Sequence, residues 1–498
     1  MTQTVAVPLW VFVLMCALVL LAVLQWLLLP GARWYFRRKV RGVLDEISVR
    51  LKIELPQFKL TRRRALIDRL MIDPRVLAAA EAHAASTGQP RAVVMKTISI
   101  YAREIVPAFN AYVYFRVGYW LSKTFARLVY RVRLGYTDAQ AMAAINPKST
   151  VVFVMNHRSN MDYILVSFLA AERVALSYAV GEWARIWPLQ GLIRAMGAYF
   201  VRRNSGDPLY RMVLQRYVQM ATEGGVPQAM YPEGGLTVDG RLREPKLGLL
   251  DYMLKGFSPD GERDLVFIPV GINYDRVIED RTLLRKLDVK PQRSGLLRTL
   301  RITGSYLARQ FVFTLLGRRY RFGYACVNFG QPYSMRAFVK ERGIDFRALD
   351  DADRRTAVAA VGRALMAQIG LNVPVLPVPL VASVFLSDPQ RAWSELELKA
   401  AVHGLIERVE ALGAHVYVPR TDRDYALTVG LRMLTLRHLV LEEQGLYRVN
   451  AAEQTVVAYY ANSIAHLTSQ TTSRKPRNKK AKEKGAQRAP AVRPADRG

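Results

Sequence analysis

A histidine and an aspartate stand five residues apart, just after an apolar run, where they could exchange protons with a bound molecule. The run Val151–Met155 contains several β-branched residues, and His157 and Asp162 lie in the polar stretch that follows it. Such a run predicts a strand buried on both faces, and ligands of α/β sheets bind just beyond the carboxyl ends of strands. The position indicates a site, although an isolated His-x4-Asp pair more often belongs to an ordinary surface loop.

His157 and Asp162 can act together only across a turn. On a continuous helix a five-residue step rotates by about 500°, which would leave the two side chains roughly 140° apart. We therefore expect a turn between them, with Asp162 opening the next helix. Its carboxylate would then hold one imidazole nitrogen and leave the other free as a general base.

Basic residues and glycines further along the chain stand where an anion could bind. Arg202 and Arg203 follow a short apolar run, and a guanidinium matches the oxygens of a phosphate. Glu233, Gly234 and Gly235 form a flexible turn in which backbone amides could approach an anion. Taken alone, paired arginines are more commonly solvated surface charges, and such a turn is weak evidence.

Four ordered blocks of the sequence resemble the motifs of the glycerolipid acyltransferases. The first block, His157–Asp162, is most similar to the bacterial membrane-bound glycerol-3-phosphate acyltransferase branch. The other three blocks are Gly197–Arg203, Tyr231–Arg241 and Phe267–Tyr274. A later stretch, Val456–Leu467, resembles the C-terminal region of the same branch, so the similarity extends over much of the chain.

This resemblance implies direct attack of an acceptor hydroxyl on an acyl thioester, without an acyl-enzyme. His157 is then the general base and Asp162 its orienting carboxylate. Acyl-CoA or acyl-acyl-carrier-protein is the implied co-substrate, and no other cofactor is expected. The predicted substrate-binding residues are Phe200, Arg202, Arg203, Glu233, Gly234, Arg241 and Pro269.

The third block departs from the pattern of this branch, which typically reads Glu-Gly-Gly-Arg-Ser-Arg-Thr-Gly-Arg. Leu236 and Val238 stand where two arginines are expected, Asp239 adds a negative charge, and Arg241 remains. The loss of two cations beside a phosphate weakens its binding unless other groups replace them.

Two cations after this block, Arg243 and Lys246, are near enough in sequence to act as replacements. Otherwise the acceptor differs, and lysophosphatidate, a larger molecule with the same phosphate, is the main alternative. A third possibility is a basic membrane-surface scaffold that has kept the fold and lost the activity. The intact pair of His157 and Asp162 argues against the scaffold.

Composition narrows the class of partner. The net charge of +31 suits nucleic acid or anionic lipid, but no finger, helix-turn-helix or RNA-binding aromatic motif is visible. We therefore expect no nucleic acid. The two cysteines, Cys16 and Cys326, fit a reducing compartment, and the six histidines show no spacing typical of a metal site.

The N-terminal segment predicts a membrane anchor. Pro8–Leu29 is almost wholly apolar, and as a helix it would rise about 33 Å, enough to cross a hydrocarbon core of about 30 Å. A cluster of basic residues follows: Arg33, Arg37, Arg38, Lys39 and Arg41. By the positive-inside rule, the rest of the chain lies at the cytoplasmic face of the cell membrane, where a basic tail after Ser469 meets anionic phospholipid.

The alternation of apolar runs with helical stretches between residues 148 and 332 predicts an α/β fold with a largely parallel sheet flanked by helices. The expected strands are Val151–Met155, Ala175–Val180, Tyr199–Val201, Ala229–Tyr231, Leu265–Val270 and Tyr324–Phe329. The predicted organisation is a transmembrane anchor (1–30), a helical N-terminal region (31–145), an acyltransferase domain (146–375), a helical C-terminal region (376–468) and a disordered basic tail (469–498).

Three further helical patterns carry specific expectations. The aromatic and basic stretch Phe109–Tyr130 suits either a helix in the headgroup layer or a core helix, and the pattern does not decide between them. The basic amphipathic stretch Arg293–Arg321 suits either a helix that lies on the membrane or an ordinary surface helix. In the C-terminal region, Trp393–Leu412 and Tyr425–Gln444 each predict a helix.

Overall fold

The computed structural model describes residues 56–170, 174–181, 189–202, 205–288, 322–419 and 422–468. The predicted anchor (1–30), the stretch 293–321 and the predicted tail (469–498) lie outside these residues. The chain divides into two compact units. The first comprises residues 1–236, 244–272 and 300–372, and the second comprises residues 237–243, 273–299 and 373–498.

An eight-stranded, largely parallel sheet forms the centre of the first unit, which confirms the predicted α/β class. Each of the six apolar runs named above coincides in whole or in part with one strand of this sheet. The strands are β1 (Arg131–Thr137), β2 (Thr150–Met155), β3 (Ser177–Val180), β4 (Tyr199–Phe200), β5 (Gln228–Met230), β6 (Leu265–Tyr274), β7 (Tyr324–Phe329) and β8 (Tyr333–Ser334). Their order is β1-β7-β6-β2-β5-β3-β4, and β8 pairs antiparallel with β6. Strand β2 is therefore central, and the segments that follow β2, β4 and β5 emerge at one edge.

Strand β1 was not among the predicted strands, because it lies at the sheet edge and buries little apolar surface. Its arginines Arg131 and Arg133 are exposed, as is common where an edge strand must resist pairing with another chain. Gly135 lies so close to Asn328 of β7 that a Cβ would overlap the Oδ1 atom. That oxygen accepts a hydrogen bond from the backbone N–H of Tyr136 (2.8 Å), which fixes the edge strand to its neighbour.

Helices cover the sheet, and two of the longer ones begin at aspartate capping residues. Asp73 caps one helix with Pro74 in its first turn, and Asp207 caps another with Pro208 in the same position. The helices are α1 (Gln57–Leu60), α2 (Arg63–Met71), α3 (Pro74–Thr87), α4 (Arg91–Ile105), α5 (Tyr119–Val129), α6 (Ala139–Ala143), α7 (Met161–Ala170), α8 (Leu189–Ala195), α9 (Pro208–Glu223), α10 (Gly248–Leu254), α12 (Met335–Arg342) and α13 (Asp351–Asn372). The intervening helix α11 (Asp280–Asp288) belongs to the second unit.

The helix predicted near Phe109–Tyr130 has both a buried and an exposed apolar face. A short π-helix, Val113–Gly118, leads into α5. Ser122, Ala126 and Val129 are buried, whereas Trp120 is 62% exposed. In the parts of the chain that the structure describes, no helix has the length and apolarity needed to cross a membrane.

The second unit is mainly helical and contains a small antiparallel sheet. Its elements are α11 (Asp280–Asp288), α14 (Pro377–Ser387), β9 (Trp393–Ser394), α15 (Glu395–Ala411), α16 (Arg423–Leu436), β10 (Val440–Glu443), β11 (Leu446–Val449), α17 (Gln454–Asn462) and α18 (Ala465–Thr468). The prediction for residues 393–412 is confirmed from Glu395 to Ala411. The helix predicted over residues 425–444 ends at Leu436, so the prediction was wrong for residues 437–444.

The helix ends at Leu436 because His438 has a positive φ (55°), and the backbone N–H of Leu439 closes the last turn on the carbonyl of Leu434 (3.0 Å). A two-residue turn follows further along the chain. Gln444 and Gly445 both have positive φ (52° and 76°), the conformation of a tight hairpin turn whose twist matches the flanking strands. They join β10 to β11 in an antiparallel hairpin, in which Val440 pairs with Val449. A glycine after a polar residue was the available sequence signal for this turn.

Candidate functional site

The turn after β2 brings His157 and Asp162 into contact. Strand β2 ends at Met155, α7 begins at Met161, and Asp162 is the second residue of that helix. The Nδ1 atom of His157 lies 2.9 Å from Oδ2 of Asp162. Only 2% of the His157 side chain and none of the Asp162 side chain is exposed. A buried carboxylate at this distance holds the imidazole with Nδ1–H as the donor, which leaves the lone pair on Nε2.

The turn itself is held rigid by further hydrogen bonds. The same Oδ2 of Asp162 accepts from the backbone N–H groups of Arg158 (2.7 Å) and Ser159 (3.1 Å). Asn156 forms a pair of bonds with the backbone of Ile272 on β6, donating to its carbonyl (2.9 Å) and accepting from its N–H (2.8 Å). Sequence reasoning did not assign a role to Asn156. Its position between the apolar run and His157 was the only signal.

Two tyrosines enclose the imidazole. The ring of Tyr231 is stacked on that of His157, with centroids 4.0 Å apart and planes inclined by 24°. Tyr163 meets both rings edge-on, at 5.4 Å from His157 and 4.8 Å from Tyr231. Because the ring is held on two sides and at Nδ1, its rotation is restricted. Neither tyrosine was predicted as a site residue, although Tyr231 is the first residue of the third block and Tyr163 directly follows the first.

Glu233 joins the third block to the first. Its Oε1 accepts a hydrogen bond from the backbone N–H of His157 (2.9 Å), and the residue is only 2% exposed. This contact positions the backbone that carries the imidazole. Gly234, the next residue, has a φ of +67°, a conformation that favours glycine.

A cavity of about 260 Å³ opens beside His157 and contains three basic residues. Arg202, Arg211 and Lys246 all line it, whereas no aspartate or glutamate does so among the described residues. The remaining lining residues are His157, Tyr163, Ala179, Val180, Gly181, Val201, Ser205, Tyr210, Leu214, Met230, Tyr231, Pro232, Gly234, Gly235, Gly248, Leu249 and Tyr252. The excess of positive charge suits an anionic ligand.

Arg202 is already paired with a carboxylate. Its Nε and Nη2 atoms donate to the two oxygens of Glu104 at 2.8 and 2.6 Å. Hydrogen bonding to Glu104 raises the pKa of Arg202, while burial lowers it. The guanidinium also lies over the rings of Tyr101 and Tyr210, 5.0 and 4.9 Å from their centroids. Much of its charge is therefore compensated before any ligand binds.

The structure does not bring every predicted substrate-binding residue to the cavity. Phe200 is buried in β4, and Pro269 is buried in β6 opposite Val154. Arg241 is exposed and belongs to the second unit. None of Phe200, Pro269 and Arg241 lines the cavity, and Arg203 lies outside the described residues. Their assignment to acceptor binding stays a prediction.

The arrangement provides a base beside an electropositive space and holds no grouping suited to a metal. Within the described ranges, no cluster of three or more histidine, cysteine, aspartate or glutamate residues could ligate a metal ion. An imidazole fixed by a carboxylate can take a proton from a hydroxyl placed in the cavity. The nearby cations can hold an anionic part of the same molecule.

Comparison with family models gives two matches along this chain. Residues 137–273 match an acyltransferase model, and residues 311–470 match the model of the glycerol-3-phosphate acyltransferase C-terminal region. The first match contains the first three blocks that resemble the acyltransferase motifs and all but the last residue of the fourth.

Curated relatives point in the same direction. A glycerol-3-phosphate acyltransferase of Xylella fastidiosa (strain M12) is 26% identical over 443 residues, which cover 86% of this chain and 50% of that protein. Another, from Xanthomonas campestris, is 27% identical and covers 86% of this chain and 48% of its own length. A third, from Pseudomonas putida, is 26% identical, with coverages of 82% and 49%. The chain thus spans about half the length of the curated relatives it matches.

One solved structure is also similar. The crystal structure of the 1-acyl-sn-glycerophosphate (LPA) acyltransferase from Thermotoga maritima covers 51% of this chain and 79% of that chain, at 16% identity and a TM-score of 0.29. A similarity of this size says nothing about the acceptor.

Proposed function

We propose that this chain, which is similar to glycerol-3-phosphate acyltransferases over most of its length, acylates the sn-1 hydroxyl of glycerol-3-phosphate to form lysophosphatidate. The donor is acyl-CoA or acyl-acyl-carrier-protein. The observation that carries the proposal is the cavity beside His157, lined by three basic residues and, among the described residues, by no acidic one. A small acceptor with a phosphate fits that charge.

In the proposed mechanism His157 acts as the general base. Its Nε2 takes the proton of the acceptor hydroxyl as the hydroxyl oxygen bonds to the thioester carbon. The carbon–sulfur bond of the tetrahedral intermediate then breaks, and the thiolate takes the proton back from the imidazolium. Asp162 stabilises the transient positive charge, and its contact of 2.9 Å with Nδ1 supports this role.

Lysophosphatidate remains the second candidate acceptor, and a specific observation favours it. Leu236 and Val238 replace two arginines expected beside the phosphate, so the third block alone offers glycerol-3-phosphate less charge than is typical of the branch. The two acceptors share the phosphate, and they differ in the presence of an acyl chain.

An acceptor panel tests the proposed function directly. Purified protein in detergent is given one labelled acyl-CoA together with glycerol-3-phosphate, lysophosphatidate or glycerol, and the products are separated. We expect labelled lysophosphatidate from glycerol-3-phosphate and no acylated glycerol. Acylation of lysophosphatidate alone would establish the second candidate. If neither acyl-CoA nor acyl-acyl-carrier-protein supports transfer to any of these acceptors, the remaining alternative is a membrane-surface scaffold without activity.

We further propose that the protein works at the cytoplasmic face of the cell membrane. The sequence of residues 8–29 supports a single transmembrane helix, and the net charge of +31 supports attraction to anionic phospholipid. The exposed face of α5 adds Trp120, Leu121 and Leu128, which are 62%, 40% and 39% exposed. Such an aromatic and aliphatic surface suits the headgroup layer.

Deletion of residues 1–30 is expected to weaken membrane binding without abolishing it, because the basic surface and α5 still contact anionic lipid. Flotation with vesicles that contain anionic lipid should show the truncated protein bound at low salt and released at high salt. The full chain, whose anchor does not depend on charge, serves as the control and should stay bound. A truncated protein that is already soluble at low salt would show that α5 does not bind the membrane.

A further inference from the structure

Three basic residues line the cavity, and they differ in how freely each can bind the acceptor phosphate. The family pattern points to the third block, but Leu236 and Val238 occupy its basic positions and Arg241 does not line the cavity. Arg243, the nearer of the two possible replacements, is exposed and does not line it either. Arg202 is compensated by Glu104. Of the described cations that line the cavity, Lys246 and Arg211 are left.

Lys246 reaches the cavity across the glycine turn beside the catalytic histidine. Its backbone N–H donates to the carbonyl of Pro232 (2.7 Å), which fixes the start of the side chain. The aliphatic stem then passes over Gly234, where an added Cβ would lie only 2.5 Å from Lys246 Cδ. Any larger residue at this position would push the lysine away. The left-handed glycine thus has a second role, which is to leave room for the stem.

The ammonium group of Lys246 has no carboxylate partner in the part of the chain that the structure describes. Among the described residues it forms no ion pair, and the residue is exposed at the cavity. An ammonium without a carboxylate partner keeps its full charge for a ligand, in contrast to the guanidinium of Arg202.

Arg211 provides a second cation from another element that lines the cavity. It lies in the first turn of α9, where a positive charge is unfavourable to the helix dipole, so helix stability does not explain its position. Its Nη2 donates to the carbonyl of Gly206 (3.2 Å), and it too has no ion pair among the described residues. The charge of Arg211 also acts on Tyr252, which lines the same cavity. Burial raises the pKa of the Tyr252 hydroxyl, and the positive charge of Arg211 partly offsets this rise.

We propose that Lys246, assisted by Arg211, binds the phosphate of the acceptor and replaces the two arginines missing from the third block. This inference rests on the proposed function, because it assigns the anion in the cavity to the acceptor. Lys246 then binds the phosphate monoester of the acceptor, while His157 takes the proton from a hydroxyl group of the same molecule.

Kinetics of the full chain test the assignment. Lys246→Ala should raise the KM for glycerol-3-phosphate about 10- to 100-fold, because it removes a charge-assisted contact. The KM for acyl-CoA should stay within about twofold. Lys246→Arg should retain most of the affinity, and Arg211→Ala should raise the same KM. Lys255→Ala is the matched control, because Lys255 follows α10 without lining the cavity, and it should behave as the wild type.

Two outcomes would overturn the assignment. One is an unchanged KM for glycerol-3-phosphate in Lys246→Ala. The other is a rise in the KM for acyl-CoA that disappears with an acyl-pantetheine donor, since Lys246 would then hold a phosphate of CoA. Thermal melting of each variant shows whether the fold is intact.

Binding without turnover separates this inference from the proposed function. Titration calorimetry of glycerol-3-phosphate, with no acyl donor, should show binding to the wild type and its loss in Lys246→Ala. If the wild type binds in this way but acylates no acceptor, the proposed function fails and the phosphate assignment stands. If it acylates glycerol-3-phosphate and Lys246→Ala binds equally well, the function stands and the assignment fails.

Discussion

Replacement of His157 with alanine is expected to lower acyl transfer about 10²- to 10⁴-fold, the usual loss on removal of a general base. The imidazole is held by Asp162 at 2.9 Å and stacked on Tyr231, so the substitution removes a base that is fixed in position. The measurement is the initial rate of labelled acyl transfer at saturating donor and acceptor. Binding of glycerol-3-phosphate without donor should persist.

The chain offers a matched control for this experiment. His403 and Asp424 form a second histidine–aspartate pair, with Nε2 and Oδ1 3.0 Å apart, but they are partly exposed and do not line the cavity. His403→Ala should leave the rate unchanged. A His157→Ala variant that keeps more than about a tenth of the wild-type rate would remove His157 from the mechanism, since general-base loss is larger.

The second large effect is expected for Asp162→Asn, at about 10³- to 10⁴-fold in kcat. Oδ2 of Asp162 accepts from Nδ1 of His157 and from the backbone N–H groups of Arg158 and Ser159. An asparagine whose oxygen takes the place of Oδ2 can keep these three contacts, but the substitution removes the negative charge beside the imidazole. A neutral amide cannot stabilise the imidazolium that forms when His157 takes the proton.

In Asp162→Asn we expect kcat to fall with little change in the KM for glycerol-3-phosphate, because Asp162 does not line the cavity. Asp424→Asn serves as the control on the second pair and should have no effect. Circular dichroism and thermal melting show whether the buried turn survives the substitution. A folded Asp162→Asn variant with wild-type kcat would exclude the orienting role.

Local sequence predicted the strand and the turn after it, and the resemblance to the acyltransferase motifs added the expectation that His157 and Asp162 act together. A buried run that ends in a polar stretch leaves few conformations for the next seven residues, and both side chains lie within that stretch. The same kind of argument found six strands of the sheet. It missed β1, whose exposed edge residues carry almost no burial pattern, and it missed the turn at Gln444 and Gly445, which depends on two positive φ angles.

The charge distribution of the cavity was decided only by the tertiary structure. Whether Arg202 is available to a ligand depends on Glu104, which lies 98 residues earlier in the chain. The support of His157 by Glu233 joins residues 76 positions apart. Sequence could place Lys246 near the third block, but only the fold shows its stem crossing Gly234 into the cavity. Motif spacing reports on groups within one segment, whereas the net charge at a site depends on every segment that packs around it.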